Sequence, residues 1–557
     1  MRKSTAGVVA VATAVSLGLT ACANIGLVEV PEAPEGFVRV LRMPSQAGGS
    51  VQGLVNYNIF GLNPVVQDWL FEPMMIRDRF TCEAVPWLVT GYDWERPDKM
   101  VLHVREGVKW SDGTPFGAKD VAFTFNLGKE YPAVDRVGLW GAFFGASAES
   151  VTATDDHTVV IEFTGPAVAM TDNILGQLIL PEHIYSKVGD PTTFVDTEGV
   201  ATGPYRPESF NGRRLVLVRN PDYWQADQVK VQRLVLEGSF DANAGALKMR
   251  NGALDLYRGD IPNPVRSVVA GDPEHNRFFY PPDASTVIAV NNERPVLDDA
   301  KFREGIAWAI DREAISARAS FGIMEPASQT MLLLPHQAEA VPDKWVGNEF
   351  IGYDPAKAEE LLDAAGYPRG ADGWRVDKDG KPLNFVFSVQ AGWMDFIAMV
   401  DVITRNLRAV GVQIRMIATD PNAVDGMQRS GTFDMVLDFV GGGCQRSRDL
   451  GARLDSAQIS HGTDLLLNRA RFSDPKIDAL IAEWGNTLAG TPRDKEIEEQ
   501  IIDVFMTQFP YIALQYAPSR LIYSTRNASG WPSDEDPYPI DRLIRLAVKW
   551  DLPEGQR

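Results

Sequence analysis

The hydrophobic pattern of this chain changes period partway along, and that change constrains the fold class before any motif is considered. From about residue 50 to 240, short runs alternate apolar with polar residues, as in Met100-Val-Leu-His-Val-Arg105 and Thr158-Val-Val-Ile-Glu-Phe163, the period of half-buried strands. From about 298 onward the period lengthens to three or four. Asp298 or Asp299 is placed to cap a helix in which Phe302, Ile306, Ala309 and Ile310 share a face. Asp354 caps a second, with Pro355 in its first turn, Ala358, Leu361, Leu362 and Ala365 on one side, and Gly366 to end it in left-handed geometry. The strand Leu383 to Ser388, the helical stretch Phe396 to Val410 and the strand Val412 to Ile417 form a strand-helix-strand unit. The expectation is a mixed α/β (α+β) protein, sheet-rich first and α/β later. At 557 residues it exceeds one hydrophobic core. With no internal repeat and no long linker, the chain is expected to cross between its lobes more than once.

At the N-terminus, Arg2 and Lys3 precede an uncharged, mostly apolar run from Ala6 to Leu19, which meets Leu19-Thr20-Ala21-Cys22. This reads as a secretory signal ending in a lipobox. The run is shorter than the ~20 apolar residues that span a bilayer, and no later stretch is long and apolar enough to do so. The motif resembles that of bacterial lipoproteins, which implies removal of residues 1–21 and lipidation of Cys22, leaving 22–38 as a lipid-anchored linker rich in Pro, Glu, Gly and Ala. The protein would then sit on the outer face of the cytoplasmic membrane. The formal charge of -20 falls by two, to -22, when Arg2 and Lys3 leave with the signal. Such acidity excludes nucleic acid as a partner, because phosphate neutralisation needs a basic surface.

Catalytic constellations are missing. The six histidines, His103, His157, His183, His275, His336 and His461, are scattered, with neither a His-Glu-x-x-His motif nor paired cysteines for a metal. There is no Gly-x-Ser-x-Gly elbow and no phosphate-binding Gly-x-x-x-x-Gly-Lys-Ser/Thr loop. Asp155-Asp156 and Asp534-Glu535 could be imagined as the carboxylates of a carbohydrate-active enzyme, but adjacent acids in turns read as solvated surface. No catalytic residue, metal or cofactor is expected.

Four blocks, in order, carry a family resemblance. They are Arg105-Glu-Gly-Val-Lys-Trp-Ser-Asp-Gly-Thr-Pro-Phe-Gly-Ala-Lys-Asp-Val-Ala-Phe-Thr124; Thr202-Gly-Pro-Tyr205 followed by Leu215-Val-Leu-Val-Arg-Asn-Pro-Asp-Tyr-Trp224; Asn291-Asn-Glu-Arg-Pro with Asp298 to Glu313; and Asp354 to Gly366 with the strand-helix-strand unit after it. The chain resembles the family 5 extracellular solute-binding proteins, receptors of ABC importers for oligopeptides, dipeptides, nickel and cello-oligosaccharides. The resemblance implies a two-lobed periplasmic-binding-protein-like fold with an extra inserted subdomain. Lobe I would comprise 39–72, 200–285 and 515–557, the insertion 73–199, and lobe II 286–514. A small ligand would be captured between the lobes by a monomer and passed to permease and ATPase subunits; presentation to a sensor is the alternative use. Within the blocks, Trp110 and Trp224 read as core, and Asp120 and Asp311 as caps.

The ligand is less legible. In peptide-binding members an Asp following a Phe-Asp strand receives the α-ammonium; counted from Phe433-Asp434, Gly443 stands there, within Val440-Gly-Gly-Gly-Cys-Gln445, with Asp438 and Asp449 flanking. Gly442 and Gly443 could present backbone groups to a ligand, or simply form a tight loop. Sugar sites need aromatic surfaces over apolar ring faces. Trp393, in Gln390-Ala-Gly-Trp-Met-Asp395, lies between a strand and a helix, the edge where α/β sheets bind ligands. Trp140, Trp531 and Asn58, the last within Asn56-Tyr-Asn-Ile-Phe-Gly-Leu-Asn63, lie in segments that resemble cello-oligosaccharide receptors. An oligosaccharide is therefore expected over a peptide. Cys82 and Cys444 fall in different lobes, so a bond between them would lock a hinge that must open; free thiols are expected despite an oxidising compartment.

Overall fold

A computed structural model describes residues 32–44, 56–60, 69–141, 146–212, 214–238, 241–462, 466–540 and 544–553. The expected signal 1–21 and the lipidation residue Cys22 lie outside the described residues.

The first body is built on a four-stranded sheet in the order Leu41–Pro44, Arg233–Glu237, Arg214–Arg219, Tyr205–Phe210, with a three-stranded sheet of Leu256–Tyr257, Leu521–Ser524 and Asn276–Phe279. Leu41–Pro44 runs parallel to its neighbour and the other pairs are antiparallel. Leu41, Leu217 and Leu234 pack with Trp69, Trp531 and Trp550 beneath them.

A second core belongs to residues 74–179. Here a hairpin of β1 (Met75–Arg77) and β2 (Ala84–Pro86) precedes an antiparallel sheet ordered Val89–Arg96, Lys99–Val104, Thr158–Phe163, Ala148–Ala153. The alternation read from the sequence is realised: Val159, Ile161 and Phe163 turn inward from Thr158–Phe163. Trp110 is fully buried, and Asp120 caps the helix Ala118–Glu130 by accepting from the Gly117 N–H at 2.9 Å.

Between these cores Glu72 is completely buried, accepting from Trp87 Nε1 at 2.5 Å, Tyr223 Oη at 2.8 Å and Trp224 Nε1 at 3.1 Å. Burial disfavours the charged form and pushes the Glu72 carboxyl from 4.5 up to about 7, although hydrogen bonds from Thr202, Tyr223, Trp224 and Trp87 oppose it. Between those two values the folded chain holds a proton that the unfolded chain has released. Stability from this group is therefore full below the unfolded value and falls as pH rises through the window, by about 3 kcal/mol. Denaturant titrations at pH 5 and pH 7.5 are expected to show that Glu72→Gln flattens the wild-type slope; parallel slopes would contradict the assignment.

The third body holds a five-stranded sheet ordered β5-β4-β6-β3-β7, where β3 is Pro282–Val290, β4 Asn384–Gln390, β5 Gln413–Thr419, β6 Met435–Val440 and β7 Tyr511–Pro518. β4 is parallel to β5 and β6, and β3 is antiparallel to β6 and β7. One face buries Ile288, Val290, Phe387 and Leu437 against helices α1 (Ala300–Trp308), α2 (Arg312–Ala319), α3 (Pro355–Ala364) and α4 (Met394–Ala409). The other buries Val287, Ala289, Val436 and Val440 against Met331 to Leu333 and the helix Pro492–Gln508. Caps form where the sequence places them: Asp299 accepts from Lys301 N, Asp311 from Ala314 N and Asp354 from Lys357 N, and Gly366 is left-handed at φ +89°. Arg375, wholly buried, ties α3 to the loop beyond α4, pairing with Glu359 and with Asp363 at 2.6 Å and donating to the Val410 carbonyl at 2.7 Å.

The chain passes between the first and third bodies through neighbouring strands. Asn276–Phe279 leads into β3, and β7 leads into Leu521–Ser524, with Ser519 N–H donating to the Pro281 carbonyl at 3.0 Å. One expectation is overturned beside this crossing. Cys82 and Cys444 are joined as a disulfide, with Cα atoms 5.2 Å apart. The free-thiol reading assumed that the two lobes carry these residues apart; instead the loop after β6 lies against β3, where the two bodies are already connected.

Candidate functional site

Where β3 and β7 leave the five-stranded sheet, a cavity of about 660 Å³ opens between the first and third bodies. That volume is within the usual range for a small-molecule site. Ile261, Asn263 and Tyr280 line it from the first body, and Trp393, Phe396 and Phe439 from the third. The aromatic wall follows from local geometry. β4 ends at Gln390, Gly392 turns the chain at φ +89°, and Trp393 takes the N-cap position of α4, which places its indole outside the carboxyl end of parallel strands. The Trp393 ring meets Phe396 edge-on at 4.9 Å and 67°, and Phe396 meets Phe439 at 5.6 Å. Trp393 nevertheless keeps 41% of its surface exposed.

Polar groups converge on the same space. Asp260 comes from the first body, Asp395 from the start of α4 and Arg520 from the second crossing segment. Arg520 and Asp260 form an ion pair at 3.3 Å with both side chains substantially exposed, so the pair is weak and its members remain available to a ligand. Burial pushes the Asp395 carboxyl up; Asp260 adds to this, while the Phe396 N–H and Arg520 oppose it. Flat apolar rings beside carboxylate acceptors and a guanidinium donor suit a molecule with apolar ring faces and a hydroxyl rim.

Of the residues singled out in the sequence, Trp393 alone lines this cavity. Trp531 is 6% exposed, stacks on Tyr523 at 5.1 Å and donates Nε1 to the Ala528 carbonyl, so it serves the first core. Trp140 packs against the second core, donating Nε1 to the Phe125 carbonyl at 2.8 Å beneath Lys129. Asn58 is buried, its Nδ2 satisfied by the Pro191 and Phe194 carbonyls and its Oδ1 by Phe60 N–H. Gly442 is left-handed, and a Cβ on it would overlap the Asp283 carbonyl; a Cβ on Gly443 would overlap the Asp449 carboxylate. Close packing explains both glycines.

Phe439, Asp260, Tyr280 and Arg520 were not foreseen. Phe439 had a signal, an apolar residue beside Asp438 at the end of a buried run, but Asp260 in Gly259-Asp260-Ile261-Pro262 and Arg520 in Pro518-Ser519-Arg520 read as ordinary turns. Among the described residues, no group of three or more His, Cys, Asp or Glu could hold a metal ion, and no helix is long and apolar enough to cross a membrane.

Comparison with known proteins agrees with this architecture. Residues 83–447, well over half of the chain, match the family described as bacterial extracellular solute-binding proteins, family 5 Middle. A putative ABC transporter peptide-binding protein of Brucella ovis is 28% identical over 349 residues, covering 58% of this chain and 62% of its own. The match thus spans less than two thirds of that relative. The periplasmic oligopeptide-binding protein of an oligopeptide ABC transporter from Thermotoga maritima superposes with a TM-score of 0.80 at 22% identity, over 92% of this chain and 99% of its own. Its mannohexaose-bound structure superposes at 0.70 and 21% identity, over 93% and 99%.

Proposed function

Because the chain belongs to the bacterial extracellular solute-binding proteins of family 5, we propose that it is the extracytoplasmic ligand-capturing component of an ABC importer and performs no chemistry itself. Lobe I comprises 39–72, 200–285 and 515–557, with 73–199 inserted, and lobe II comprises 286–514. A lipid on Cys22 holds the monomer to the outer face of the membrane through linker 22–38, and permease and ATPase subunits receive the ligand and hydrolyse ATP. The observation that carries the reading is the cavity of about 660 Å³ between two bodies joined by neighbouring strands, the arrangement that hinge closure uses.

The ligand is an oligosaccharide. Support comes from the open face of Trp393, from Asp260, Asp395 and Arg520 around it, and from mannohexaose bound to the Thermotoga maritima protein. One observation favours a peptide instead. Asp449 fills the space above Gly443, the position at which the peptide-binding members carry their ammonium-binding Asp, and burial pushes its carboxyl up, while Asp438 is already engaged by Arg453 and Arg469. A thermal-shift panel of manno- and cello-oligosaccharides, di- to pentapeptides and nickel separates the two, since a ligand that binds only the folded state raises the melting temperature. Stabilisation by a sugar that survives Asp449→Asn is expected; stabilisation by peptides alone, lost in Asp449→Asn, would replace the sugar with a peptide.

A further inference from the structure

Ligand capture makes no use of the Cys82–Cys444 disulfide, yet the bond is specifically placed. Cys82 closes the turn between β1 and β2: its N–H donates to the Asp78 carbonyl at 2.8 Å, and the Asp78 carboxylate accepts from Arg545 at 2.8 Å, which holds the turn to the helix Ile544–Lys549. On the other side, Cys444 follows Gly441 to Gly443 at the end of β6. Gly442 lies directly on the Asp283 carbonyl of β3, and Asp283 is ion-paired with Arg79 of the same β1–β2 turn. Two residues reach at most about 7 Å, so the bond stands beside the crossing strands and not at the distant lip of the cleft.

It also stands on one side of them. Around it Phe80 stacks on His336 at 4.2 Å and 7°, Gln445 donates to the Ala169 carbonyl and Arg448 to Asn173 Oδ1. His336 follows Met331 to Leu333, which pack on the sheet face of Val287 and Val436. The cavity contains Thr286 and Phe439, which by alternation share the opposite face with Ile288 and Leu437.

We infer that the disulfide is a covalent third element of the hinge, confining the lobes to a rocking motion that opens the cleft on the Trp393 face while the Phe80–His336 face stays shut. About 7 Å from β3, a rotation of about 20° displaces the bond by only about 2 Å, which side-chain torsions absorb. Twisting and splaying, which would carry Cys444 away from Cys82, are removed. The open state then has less freedom to lose when a ligand closes it, which favours binding through preorganisation. That consequence rests on the cavity being the ligand cleft. The test uses no ligand, so its failure is distinct from failure of that reading.

The folded full-chain protein is treated with dithiothreitol, which gives up two electrons and two protons and becomes a cyclic disulfide while Cys82 and Cys444 become thiols. The thiols are alkylated, and amide hydrogen exchange is compared with that of the untreated protein. Before reduction, the peptides containing Cys82 and Cys444 are expected as one cross-linked pair. After it, amides of 78–86 and 441–448 are expected to exchange at least about tenfold faster, with 318–324 and 392–399 unchanged. A Cys82→Ser, Cys444→Ser double variant should reproduce the pattern without alkylation; if it does not fold, reduction of the folded wild type still decides. Two alkylatable thiols in the untreated protein, unchanged exchange after reduction, or equal acceleration at the Trp393 face would overturn the inference.

Discussion

Trp393→Ala is expected to weaken ligand binding by about 2–4 kcal/mol, roughly 30- to 700-fold in Kd, while leaving the melting temperature of the ligand-free protein almost unchanged. The asymmetry follows from where the ring sits. Its edge touches Phe396, but 41% of its surface is exposed where it lines the cavity, and no hydrogen bond of its side chain is seen among the described residues. Folding therefore gains little from the indole, whereas a ligand would cover it. Trp393→Phe keeps a flat ring of smaller area and should fall between the two. Calorimetric titration of the three proteins with one oligosaccharide reads the series directly. Equal affinities would remove Trp393 from the site.

Arg375→Ala is expected to destabilise the five-stranded body by about 3–5 kcal/mol with little direct effect on the cavity. The guanidinium has no exposed surface, pairs with Glu359 and Asp363 and satisfies the carbonyls of Tyr367 and Val410. Its loss strands those carbonyls and removes a charge partner from Glu359 and Asp363. Arg375→Lys should rescue little, because one ammonium cannot reach four acceptors arranged around a planar fork. Guanidinium-induced unfolding, followed by amide exchange in α3 and β4, checks it. A change below about 1 kcal/mol would mean that the network contributes little.

Much of this arrangement was legible because local chemistry and global fold agree. Asp354, Pro355, Ala358, Leu362 and Gly366 specify a helix start, face and end without reference to anything distant, and α3 forms there. The strand-helix-strand unit from β4 to β5 was visible for the same reason, and with it the edge that carries Trp393. Asp260 and Arg520 were not visible, since they meet Trp393 only after segments some 130 residues away on either side fold together. The other tryptophans show the converse failure. Trp531 and Trp140 have the same chemistry as Trp393, and only packing decides which ring fills a core and which faces a cavity. The cysteines failed for a third reason: the lobe boundaries implied by the family resemblance placed them in different lobes but carried no information on how close to the hinge each would lie.

An oligosaccharide is proposed to occupy the space between the lobes against Trp393. A crystal structure of the protein saturated with whichever compound of the thermal-shift panel stabilises it most tests this directly. Sugar rings stacked on the Trp393 indole are expected, with hydroxyls on Asp260, Asp395 or Arg520. A peptide held at Asp449, or any ligand bound away from Trp393, would contradict it.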